Sequence, residues 1–275
     1  MADHAGPGRT VLVTGAGRGL GAAIAAAAAG DGWTVAVLDR DGAAAAAVAA
    51  SLGARAVPLA CDTTDAHAVD QALDRLAEAT GRDAPEGLVA NAGVVRFGPL
   101  LDLALDDWRA VVDVNLTGTF VTARAVARRM VAADGAGSIV TVTSMNGVAP
   151  GPNAGAYGAT KAAVALLTQQ MALEWGGRGI RVNAVAPGLI DAGMSEPIYA
   201  DPAIRRRRSD AVPLGRLGTG ADVAAAVLFL LSDAAAYVTG TELLVDGGVT
   251  RSVIAGLPRP AAVDSVGPGG DGPPG

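Results

Sequence analysis

Aromatic residues make up only 3% of the 275-residue chain, three each of Trp, Tyr and Phe, so its core has to be built from close-packed small side chains. A single cysteine, Cys61, excludes an internal disulfide and suits a reducing compartment. With only two histidines, His4 and His67, no His/Cys metal-ligand cluster is available. No apolar run is long enough to cross a bilayer. The N-terminal MADHAGPG lacks a basic segment followed by an apolar one. A cytoplasmic protein with no membrane segment is expected. Basic residues are also short, 21 against 27 acidic for a net charge of −6, which argues against a nucleic-acid or anionic-membrane surface. The run Arg205–Arg208 is the local exception and reads as a solvated helix face.

Apolar residues are plentiful at 51%, enough for a sizeable core. Short β-branched runs at 10–14, 34–39, 54–60, 87–91, 138–144, 180–187 and 242–246 alternate with alanine-rich stretches. The stretches near 19–30, 42–52, 65–80, 103–133, 156–176 and 219–232 read as helices. That alternation predicts βαβ units and an α/β fold, a doubly wound parallel sheet of about seven strands with helices on both faces. Residues 1–8 read as a flexible N-terminus and 9–255 as one domain. Glycine and proline dominate 256–275, which reads as a disordered tail.

TGAGRGLG (14–21) follows the first strand and opens the first helix. Glycines there let the backbone approach a ligand, and a helix N-terminus offers unpaired N–H groups to an anion, a pattern suited to a dinucleotide phosphate. Asp39, at the end of the second strand, is placed to accept hydrogen bonds from both hydroxyls of an adenosine ribose and to repel a 2′-phosphate. That favours NAD. Arg18 and Arg40 are both placed to reach a 2′-phosphate, so NADP use stays open.

AYGATK (156–161) places Tyr157 one helical turn before Lys161, on the same face. A free phenol has a pKa of about 10, and a neighbouring ammonium is expected to lower it toward the range of a general acid/base. Ser144 ends the strand SIVTVTS, and strand C-terminal ends are where open α/β sheets bind ligands.

Together these motifs resemble the short-chain dehydrogenase/reductase family over residues 9–250: TGAGRGLG (14–21), Asp62, NAG (91–93), Asn115, Ser144, YGATK (157–161) and PG (187–188). The resemblance implies a Rossmann-like fold and an NAD-dependent oxidoreductase interconverting a secondary alcohol and a ketone. Tyr157 would be the acid/base, Lys161 would tune it and hold the nicotinamide ribose, and Ser144 would orient the substrate oxygen. Asn115 would help a water connect the lysine to solvent; its bland role is a helix-kink residue bonding the backbone. Cofactor contacts are implied for Gly15, Arg18, Gly19, Leu20, Asp39, Arg40, Cys61, Asp62, Asn91, Ala92, Gly93, Tyr157, Lys161, Pro187, Gly188 and Ile190. By its own chemistry Cys61 reads as a small buried hydrophobe and not as a nucleophile. The family usually carries a threonine after PG that bonds the carboxamide; here Ala192 stands in its place.

The resemblance places the substrate between Ser144, the segment 145–155 and a lid over 189–215, with Met145, Asn146, Asn153, Tyr157, Leu189 and Met194 as candidate contacts. The arginine run in that lid is placed to meet an anionic substrate such as an acyl-carrier phosphopantetheine. A homotetramer or homodimer is implied, with helices near 103–133 and 156–176 pairing across one interface and TELLVDGG (241–248) at a second. An NADPH-dependent 3-oxoacyl thioester or ketone reductase is the alternative activity. A non-catalytic cofactor-binding regulator is disfavoured by the complete Asn115, Ser144, Tyr157 and Lys161 set.

Overall fold

In a computed structural model, which describes residues 8–252 apart from the side chains of 195–197, the β-branched runs become seven parallel strands of one sheet. They are β1 (Thr10–Thr14), β2 (Thr34–Asp39), β3 (Ala56–Ala60), β4 (Gly87–Ala90), β5 (Gly137–Val142), β6 (Ile180–Pro187) and β7 (Glu242–Val245). Their order is β3-β2-β1-β4-β5-β6-β7. The first three run outward from the middle, and the chain then crosses back to place β4 on the other side of β1. Such a reversal leaves a crevice at the carboxyl ends of β1 and β4, the usual ligand position in this architecture. Residues 1–7, the end of the expected domain at 253–255 and the Gly/Pro-rich tail at 256–275 lie outside the described residues.

Helices α1 (Gly19–Gly30), α2 (Gly42–Leu52) and α10 (Gly220–Leu231) contribute to one buried cluster, in which Val11 and Val13 of β1 meet Ile24, Ala28, Val223 and Val227. On the opposite face α3 (Ala66–Thr80), α5 (Gly118–Ala132) and α7 (Tyr157–Trp175) pack their buried residues with Leu12, Leu88 and Ile139. Alternate residues of one strand therefore serve two cores, as burial on both faces requires. Small side chains let helices approach closely. A Cβ added at Gly220 of α10 would stand 2.7 Å from the Ala23 Cβ of α1.

The strands and long helices agree with the sequence pattern, with three differences. The chain enters β3 through a 3₁₀ turn, Gly53–Arg55, so the strand starts two residues later than expected. The expected helix over 103–133 divides into α4 (Leu105–Val112), a π-helical segment (Asp113–Thr117) and α5. The segments read as loop and lid also hold short helices, α6 (Met145–Val148), α8 (Glu196–Tyr199) and α9 (Pro202–Asp210). Helix α9 lacks an apolar stripe but starts on Asp201, whose carboxylate accepts from the N–H groups of Ala203 and Ile204, with Pro202 in its first turn.

Candidate active site

A cavity of about 870 Å³ opens along the carboxyl ends of the strands, lined from Asp39 and Asp62 at one end to Ser144 and Tyr157 at the other, with Tyr199 also in its wall. Thr14, at the end of β1, holds the crevice together. Its hydroxyl oxygen accepts from the N–H groups of Asn91 and Ala92 at 3.0 Å each, while the Asn91 amide donates to the carbonyls of Thr14 and Gly15. Asn91 thus lines the cavity with its amide nitrogen already committed to the backbone.

Gly15 turns at φ 62°, and a Cβ there would lie 2.8 Å from the Ala92 Cα, so only glycine keeps this floor open. Arg18 precedes α1 in extended conformation and supplies no side-chain cap, which leaves the first-turn N–H groups available to a ligand. Gly19 and Leu20 line the cavity beside them. The Asp39 carboxylate accepts from the N–H groups of Gly17 and Asp41 at 3.0 Å each, leaving further lone pairs on both oxygens. Arg18 and Arg40 line the same end, both exposed. Cys61 is buried, and burial pushes its thiol up to about 11, a poor nucleophile. Its neighbour Asp62 accepts from the Thr64 N–H and hydroxyl. Gly93, Pro187, Gly188 and Ile190 complete the wall, and the strap after β6 is fastened by the Asp191 N–H donating to the Gly218 carbonyl at 2.8 Å.

At the other end Ser144 follows β5 and caps α6, its hydroxyl oxygen accepting from the Asn146 N–H at 3.2 Å. Tyr157 opens α7, and Lys161 follows one turn later with its Nζ 5.6 Å from the phenol ring centroid. Burial raises the phenol above its ordinary value, and a hydrogen bond with the Ser144 hydroxyl pulls the other way. Lys161, 3% exposed, donates to the Val142 carbonyl at 2.7 Å, and burial lowers it to about 8. The expected lowering of the phenol by the ammonium is therefore outweighed by desolvation, and serine is the group that opposes it.

Asn115 is fully buried in the π-helical segment and is not among the cavity-lining residues. Its side chain accepts from the Val94 N–H at 2.8 Å and donates to the Val94 carbonyl and the Thr160 hydroxyl. It ties the chain after β4 to α7. Met145, Asn146, Leu189 and Met194 line the cavity as expected. Asn153 does not: it is exposed, with a left-handed φ of 61°, and its carbonyl accepts from the Gly98 N–H at 3.0 Å. Thr14, Thr160 and Arg208 were not marked individually as site residues by the sequence. The two threonines act through hydrogen bonds across chain separations of 77 and 45 residues, which no local motif carries. Among the described residues no helix is long and apolar enough to cross a membrane, and no group of three or more His, Cys, Asp or Glu could hold a metal ion.

A family model described as enoyl-(acyl carrier protein) reductase matches residues 15–250. The chain is 43% identical over 246 residues to a galactitol 2-dehydrogenase (L-tagatose-forming) of Cereibacter sphaeroides, covering 88% of this chain and 95% of that protein. It is 40% identical over 247 residues to 2-(S)-hydroxypropyl-CoM dehydrogenase 3 of Xanthobacter autotrophicus, covering 87% and 96%. A crystal structure of a short-chain type dehydrogenase/reductase from Mycobacterium marinum superposes with a TM-score of 0.82 at 37% identity, covering 89% of this chain and 96% of that one.

Proposed function

The chain belongs to the short-chain dehydrogenase/reductase family, and from that premise we propose that it interconverts a secondary alcohol and its ketone, with NAD as the preferred cofactor. The observation that carries this reading is one cavity holding Ser144, Tyr157 and Lys161 at one end and a glycine turn with Asp39 at the other. The residues present fit a nicotinamide dinucleotide: the uncapped start of α1 and the open floor at Gly15 suit its diphosphate, and Asp39 has lone pairs left for ribose hydroxyls. When bound, that group accepts or supplies the hydride.

The Tyr157 phenol donates a proton to the carbonyl oxygen in reduction and takes it back from the hydroxyl in oxidation. The Ser144 hydroxyl bonds the same oxygen and fixes its position. Lys161, charged below about pH 8, supplies positive charge beside the phenol. Asn115 is a positioning residue, anchoring α7 through Thr160 and the chain after β4 through Val94. Ala192 lines the cavity where the family usually carries threonine and offers no hydroxyl to the carboxamide. Tyr157→Phe should lower kcat for secondary-alcohol oxidation by about 10²–10⁴-fold while NADH affinity stays close to wild type, measured by nicotinamide absorbance and fluorescence. Retained turnover would remove Tyr157 from this role.

A second reading, an NADPH-dependent reductase of ketones or 3-oxoacyl thioesters, draws support from Arg18 and Arg40 beside Asp39. We further place the chain in the cytoplasm, where its lone buried thiol stays reduced, as one catalytic domain over 9–255. We propose a homotetramer or homodimer. Leu166 and Leu173, 67% and 85% exposed, lie seven residues apart on one face of α7. Edge strand β7 follows the fully exposed Tyr237 in the chain.

A further inference from the structure

Four consecutive arginines occupy α9, and their surroundings separate them. Arg205 forms an ion pair with Asp191, and the Arg206 Nε lies 3.9 Å from Asp210 Oδ2. Arg207 is exposed. Arg208 alone is half-buried and lines the cavity. Among the described residues it has no ion pair and no hydrogen bond; its guanidinium lies 5.7 Å from the ring centroid of Tyr199, which is 4% exposed and lines the same wall. An aromatic face steadies a guanidinium without neutralising it or satisfying its N–H donors. Among the described residues the only carboxylates lining the cavity are Asp39 and Asp62, at the opposite end from Tyr157. Lys161, beside Tyr157 and lining the same cavity, already donates to Val142.

We propose that the substrate carries an anionic group, a carboxylate, sulfonate or phosphate remote from the carbinol carbon, and that Arg208 receives it. This rests on the reading above that Tyr157 marks the reacting end of the cavity. A planar guanidinium held half out of water, with no hydrogen bond or ion pair among the described residues, is completed by a bidentate anion. A cation in the last turn of a helix also complements the helix dipole, but Arg207 in the same turn serves that purpose from the surface. The dipole role would change stability and leave charge selectivity alone.

The test is calorimetric titration of the NADH-loaded protein with 4-oxopentanoate and its longer homologues, against neutral methyl ketones of matched length, with turnover of each measured in parallel. The wild type should bind at least one keto acid about tenfold or more tightly than its neutral counterpart. Arg208→Gln should abolish that preference and Arg208→Lys should retain part of it. In the wild type alone the preference should shrink as salt rises, which serves if the glutamine variant fails to fold. Equal affinity for charged and neutral ketones, or a preference that survives Arg208→Gln in a folded protein, overturns the proposal. Arg208-dependent binding of keto acids with no turnover of any ketone or alcohol would reject the oxidoreductase reading and leave the anion site standing. Turnover without charge preference would do the reverse.

Discussion

Lys161 shows at the scale of one residue how burial and function pull apart. Its ammonium is almost fully buried with a single backbone acceptor, and the folded chain holds its pKa near 8 against 10.5 for a free lysine. Below about pH 8 both folded and unfolded chains carry the proton, so the full cost of the buried charge is present, about 3 kcal/mol for this shift. Above it the folded chain loses the proton first, and that cost is relieved as pH rises until the Cys61 thiol, pushed up to about 11 in the folded chain, begins to ionise in the unfolded one near its ordinary value of about 9 and offsets the gain. The urea midpoint should therefore rise between about pH 8 and 9 in the wild type, and Lys161→Met should flatten that rise. A wild-type midpoint that falls across this window would contradict the assignment. Asp39 is the second decisive side chain. Fluorescence titration should show NADH bound more tightly than NADPH, and Asp39→Ala should shift the ratio toward NADPH by roughly tenfold or more, the worth of a charge-assisted hydrogen bond. An unchanged ratio would assign the choice to Arg18 and Arg40.

Elements here meet through small residues, so a single methyl is felt. Gly220 starts α10, where alanine would ordinarily gain up to about 1 kcal/mol of helix propensity. The added Cβ, however, would meet the Ala23 Cβ of α1 at 2.7 Å, and neither atom can swing aside. Overpacking of this kind costs about 1–3 kcal/mol, so the clash wins. Gly220→Ala should lower Tm by a few degrees, and the double variant Ala23→Gly/Gly220→Ala should recover part of the loss. A gain in Tm for the single variant would show that α1 and α10 have room to move. Both helices were legible from alanine runs between strand patterns, and in the structure a capping box of Thr219 and Asp222 fixes where α10 begins. The π-helical segment around Asn115 was not, since a π turn depends on hydrogen-bond register and leaves no distinct spacing of apolar residues.

For the whole molecule, the exposed leucines of α7 and the edge at β7 bear on assembly. Light scattering after size exclusion should give a mass of two or four chains, and Leu166→Glu/Leu173→Glu should shift the population to smaller species, since buried like charges oppose association. A monomeric wild type would refute the proposed pairing.

The order of strands and helices, the doubly wound class and the one-turn spacing that sets Tyr157 and Lys161 on one helix face followed from the sequence alone. Each rests on periodicity or spacing within one helix or turn, and such local rules act before any distant contact forms. Only the tertiary structure decided which way the balance of burial and charge falls. It raised the phenol that the lysine was expected to lower, enclosed Asn115 behind the cavity wall and turned Asn153 out to solvent. It also separated Arg208 from three identical neighbours by aiming one of them at the cavity. Burial and partner choice depend on residues far apart in the chain, and for that reason no short stretch of sequence records them.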